Sequence, residues 1–129
     1  MSADDDRVLE LAAKIFDLAR SGDAVTLAEY VDAGVPVNLT NERGDTLVML
    51  AAYYGHRDAV AALLERGADP NGTDDKGPTP LAGAVFKGDT EVVRLLLDAG
   101  ADPDAGNPTA RESATMFGQD KLLELFGPA

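Results

Sequence analysis

A chain of 129 residues with 11 basic and 23 acidic side chains carries a formal charge of −12, which repels phosphate backbones and makes direct nucleic-acid binding an unexpected role. Hydrophobic residues make up 45% and aromatics 5%, so the core has to be built from Ala, Leu and Val, while the absence of cysteine removes disulfides and thiolate metal sites. No stretch approaches the roughly 18 uninterrupted apolar residues of a membrane helix, and Met1–Arg7 lacks the basic, apolar character of a secretory leader, so a soluble cytoplasmic protein without membrane contact is expected.

In chain order, the acids Asp4–Asp6 predict a helix start, because negative charge is favoured at the positive helix end. Val8, Leu11, Ala12, Ile15, Leu18 and Ala19 then recur at helical spacing, and Gly22 ends the run. Asp23 is positioned to cap a second helix with Leu27, Ala28 and Val31 on one side, ending at Gly34. After the turn-rich Asn41–Asp45, Thr46 predicts the cap of a short helix through about Tyr54, and Gly55 closes it. A further helix is expected from about Arg57 to Arg66, before Gly67. The pattern then returns with Thr79 as cap, Pro80 at the first helical position, where its missing N–H costs nothing, and Gly88 as stop. Asp89 caps a helix to about Ala99. Thr109 opens a helix ending near Phe117–Gly118, and Gln119–Phe126 forms the last.

These elements repeat with a period of 33: Gly44 aligns with Gly77, Thr46 with Thr79, Ala51 with Ala84, Gly55 with Gly88, and Leu63-Leu64 with Leu96-Leu97. The run Gly67-Ala68-Asp69-Pro70 returns as Gly100-Ala101-Asp102-Pro103. Such a period marks stacked units, each burying its apolar face against its neighbours. The links between units, as in Gly67–Thr79, are rich in Asp, Asn, Gly and Pro, which is turn chemistry for ordered, hairpin-like arms.

Gly44-Asp45-Thr46-Leu47-Val48-Met49-Leu50-Ala51-Ala52-Tyr53-Tyr54-Gly55, with Val60, Leu63-Leu64 and Gly67-Ala68-Asp69, resembles the ankyrin repeat, and Gly77 to Asp102 repeats the match. The resemblance implies an all-α ankyrin-repeat solenoid of about four helix-turn-helix units in a single domain over 1–129. Residues 7–40 form an N-terminal cap, 41–73 and 74–106 two full repeats, and 107–127 a truncated C-terminal cap, since Thr79 to Thr109 spans only 30. The family's motif histidine, which with the threonine ties neighbouring hairpins, is replaced by Met49, Ala82 and Glu112.

The resemblance further implies a non-catalytic, monomeric module that binds a partner protein with its hairpin tips and concave face. Carried over by register, the tip residues are Glu42, Arg43 and Asp45 in one unit and Asp75, Lys76 and Pro78 in the next. The positions before the turn glycine place Arg20, Tyr53, Phe86 and Met116 in one row, flanked by Tyr54, Lys87 and Phe117. Exposed rows of such residues suit interface cores; packing between helices is the other role open to Phe86, Met116 and Phe117. Tyr53 and Phe86 are the expected anchors. The acidity leaves a second reading, an electrostatic inhibitor or decoy of a basic protein, and Phe117, Leu122 and Phe126 leave a third, self-assembly through the end cap.

Catalysis, metals and cofactors find little support. His56 is the single histidine, and Ser2, Ser21 and Ser113 stand in no Gly-x-Ser-x-Gly elbow. Asp69, Asn71 and Thr73 mimic alternate calcium ligands, yet Asp74 stands where that loop needs glycine and Pro80 where it needs glutamate.

Overall fold

The structure, a computed structural model, describes residues 3–72 and 77–128. Among these residues there are eight helices: α1 (Ala3–Ser21), α2 (Ala24–Asp32), α3 (Leu47–Tyr53), α4 (Arg57–Glu65), α5 (Pro80–Lys87), α6 (Thr90–Asp98), α7 (Ala110–Met116) and α8 (Asp120–Phe126). They pair as antiparallel hairpins, and the hairpins stack in two layers. The inner layer packs α1 on α3, α3 on α5 and α5 on α7; the outer packs α2 on α4, α4 on α6 and α6 on α8.

The caps are those expected. The hydroxyls of Thr46, Thr79 and Thr109 accept from the N–H groups of Met49, Ala82 and Glu112, satisfying donors that a helix start leaves open. Asp23 and Asp89 do the same for α2 and α6, and Gly88 ends α5 in the left-handed region at φ 76°. One boundary differs: α1 already includes Asp4–Asp6, beginning at Ala3. At 19 residues α1 also exceeds the other inner helices, which have seven or eight.

Leu27, Leu47, Leu63, Leu81 and Leu96 are fully buried between the layers, with Val48, Val60, Val85, Val92 and Val93. Each such side chain contributes about 1.5–3 kcal/mol of apolar burial. The small Ala51, Ala52 and Ala84 are likewise buried and let the inner helices approach closely.

Polar ties between successive units run through other residues than the family's motif histidine. Met49 and Ala82, which replace it, are buried apolar groups. Instead, Asn38 Oδ1 accepts the Asp69 N–H at 2.8 Å, and one period later Asn71 Oδ1 accepts the Asp102 N–H at 2.7 Å while Asn71 Nδ2 donates to the Gly100 carbonyl at 3.2 Å. These bonds occupy the Asn71 side chain in joining repeats. His56 Nε2 donates to the Arg20 carbonyl at 2.6 Å, and Gln119 Nε2 donates to the Val85 carbonyl at 2.9 Å. A bidentate Arg66–Asp32 pair, at 2.9 and 3.2 Å, adds a further link. The last helix pair is tied by Arg111, which pairs with Asp104 at 2.8 Å and donates to the Gly127 carbonyl at 2.6 Å.

Candidate functional site

The inner helices end in a row of rings. Tyr53 is the last residue of α3 and Tyr54 its cap, Phe86 lies in the last turn of α5, and Met116 and Phe117 end α7. All five are exposed, from 42% for Tyr53 to 76% for Met116. The alternative of core packing therefore fails for Phe86, Met116 and Phe117. Tyr53 and Phe86 stack with centroids 5.4 Å apart, and Tyr54 meets Tyr53 edge-on at 5.3 Å. Phe86 then meets Phe117 edge-on at 6.0 Å. The ring contact thus continues through Phe117, the neighbour of the Met116 that register places in the row. Met116 lies beside the row in the same hollow.

Two hollows flank the rings. One, of about 230 Å³, is lined by Met49, Tyr53, Phe86, Met116 and Phe117, with Gly83 in its wall and Pro78 and Pro108 at the tip side. Among the described residues no acidic or basic side chain lines it. The other, of about 480 Å³, adds Arg43, Asp45 and Tyr54. Arg43 and Asp45 are set by Asn41, whose Oδ1 accepts both of their N–H groups at 3.0 Å. An isolated antiparallel bridge between Thr40 and Thr46 closes the base of this tip.

The expected site residues divide accordingly. Arg43, Asp45, Tyr53, Tyr54, Phe86 and Met116 come together around the two hollows. Arg20 and Glu42 do not join them; they line a neighbouring hollow with Leu9, Thr40 and Arg43, and Arg20 is paired with Asp17 at 2.9 Å. Lys87 departs from the row as well. Its stem lies against Gly55, and its hollow is shared with Arg57, Asp89 and Glu91. Asp75 and Lys76 lie outside the described residues. Pro108, Gly83 and Ser113 were not singled out by sequence reasoning; the signal available for Gly83 and Ser113 was their shared register with Leu50 along the inner helices.

The electrostatics place little charge at the rings. α3 contains no ionisable group other than Tyr53, and α5 only Lys87. In α7, Glu112 is engaged in a capping box with Thr109. The perturbed groups lie elsewhere: hydrogen bonding to Arg111 lowers the pKa of Asp104, and Asp32 raises that of Arg66. Among the described residues no group of three or more His, Cys, Asp or Glu is arranged to hold a metal ion, and no helix is long and apolar enough to cross a membrane.

A family model described as ankyrin repeats (3 copies) matches residues 10–107. A Pseudomonas aeruginosa protein named as an ankyrin repeat protein is 47% identical over 51 residues; this match covers 40% of the chain and 30% of that relative's length. With eight helices among the described residues, stacked in register, and a family model spanning well over half of its length, the chain belongs to the ankyrin-repeat family.

Proposed function

We propose that the chain binds a partner protein across its concave inner-helix face and first hairpin tip, with Tyr53 and Phe86 as anchors. Ankyrin repeats generally mediate protein–protein interaction, and the observation that carries the specific reading is the exposed, mutually packed row Tyr54–Tyr53–Phe86–Phe117. Rings already held against one another lose little rotamer entropy on binding, so a modest patch is enough. Arg43 and Asp45 form the polar rim on one side. The chain acts without catalysis or cofactor and as a monomer.

The electrostatic reading, in which the acidic links engage a basic protein, has the charge of −12 in its favour. It leaves the row of rings without a role, and it predicts binding that collapses in salt.

A photo-reactive phenylalanine analogue at position 86 tests the proposal against the same analogue at the exposed outer-helix position 94. Crosslinks to a partner at 86 and not at 94 support the concave face. Crosslinks at 94 alone, or equally at both, contradict it.

A further inference from the structure

We infer that Gly83 opens a notch in the concave face that admits one large apolar side chain of the partner, and that this notch sets which segments the face accepts. The inference rests on the docking reading above and adds the chemistry of the partner to it.

Glycine in the interior of a helix weakens it relative to alanine, and Gly83 sits inside α5 (Pro80–Lys87). The fold does not require it there. The residue has no left-handed φ, and a Cβ built on it meets Met49 Sδ and the Cα and Cβ of Tyr53 at 3.7 Å, ordinary contact distance. Gly55 and Gly88, by contrast, hold φ of +76° and serve the turns. The register-equivalent position one repeat earlier is Leu50, which is buried. Gly83 is buried beside Met49 and Tyr53 and lines the hollow they share with Phe86, Met116 and Phe117, so glycine leaves there the space that a side chain would take.

The volume and lining define the occupant. The hollow holds about 230 Å³, below the roughly 300–1,000 Å³ of sites that enclose a small molecule. It suits a single side chain carried in on a larger surface. Met, Tyr and Phe line it, and among the described residues no acidic or basic group does, so a charged anchor would lose hydration without an opposite charge from them to replace it. The chemistry selects Phe, Trp, Leu or Met on a protein segment, with neutral residues beside it.

The test uses a random 12-residue peptide library panned on the full chain. Each enriched peptide is titrated against wild type, Gly83→Val, Gly83→Ala and the double variant Tyr53→Ala/Phe86→Ala, and thermal melts are recorded for all four proteins. The expected peptides share one Phe, Trp, Leu or Met whose change to Ala weakens binding at least tenfold. Gly83→Val weakens them at least tenfold, and Gly83→Ala weakens them several-fold while raising the melting temperature. Should Gly83→Val fail to fold, Gly83→Ala decides, since its methyl group fits. Peptides lost by the double variant but indifferent to both Gly83 substitutions, or anchored by a charged residue, overturn the notch and leave the docking face standing. Peptides indifferent to every variant, or no enrichment, overturn both.

Discussion

The rings of Tyr53 and Phe86 lie 5.4 Å apart and within 8° of parallel, although the two residues belong to different helices of successive repeats. The contact exists because α3 and α5 pack side by side. Both rings remain exposed, so their mutual contact stabilises the fold only modestly. Replacing both with alanine is expected to lower stability by about 1 kcal/mol, the worth of an aromatic pair, and to leave far-ultraviolet circular dichroism unchanged. Urea melts read this directly; a loss several times larger would place the rings in the core.

Asn38 and Asn71 bond to backbone groups of the following repeat. Asn38→Ala should cost about 1 kcal/mol. Asn71→Ala should cost more, since it forfeits two bonds and leaves both a donor and an acceptor to find water. Equal and negligible effects in chemical denaturation would show that the links are held by packing alone.

Thr79 is fully buried while it caps α5, whereas Thr109 caps α7 at a less buried position with Glu112 sharing the work. Thr79→Ala is therefore expected to cost about 1–2 kcal/mol, and Thr109→Ala less. The reverse order in paired melts would contradict the cap assignment.

Gly22 has φ +81°, and a Cβ there would stand 2.5 Å from the His56 ring; Gly88 has φ +76° with open space around it. Gly88→Ala should cost about 1–2 kcal/mol from the left-handed backbone alone. Gly22→Ala should cost more, and the excess should shrink in a His56→Ala background. A double-mutant cycle measures that coupling; zero coupling would mean that the ring moves aside freely.

Hydrogen bonding to Arg111 holds the Asp104 carboxyl below its usual range. A carboxylate whose pKa is lowered by folding stabilises the native state above its unfolded pKa, and the stabilisation is lost as pH falls through the folded value. The stability difference between wild type and Asp104→Asn should thus be constant above about pH 5 and shrink below about pH 4. Asp104 is exposed, so the difference is small. A difference that grew on acidification would have the wrong sign for this pair.

The turns and caps were legible in the sequence because they are local: Thr46, Thr79, Thr109, Gly55 and Gly88 act on neighbours within a few residues. The aromatic row followed from the period, since one register places Tyr53 beside Phe86. What escaped depends on how repeats sit on one another. The bonds of Asn38 and Asn71 reach about thirty residues ahead, and asparagine in a turn-rich link reads as turn chemistry unless its recurrence at 33 is noticed. Phe117 making the ring contact beside Met116, and Lys87 lying with Arg57, Asp89 and Glu91, depend on how the helix ends of successive repeats meet, which spacing does not encode.

The central claim, that a partner docks on the face around Tyr53 and Phe86, is tested most directly by affinity capture from native lysate, with wild type and Tyr53→Ala/Phe86→Ala side by side at low and high salt. The account predicts a protein retained by wild type at both salt concentrations and lost by the variant. A protein retained equally by both and released by salt would contradict it and move recognition to the acidic links.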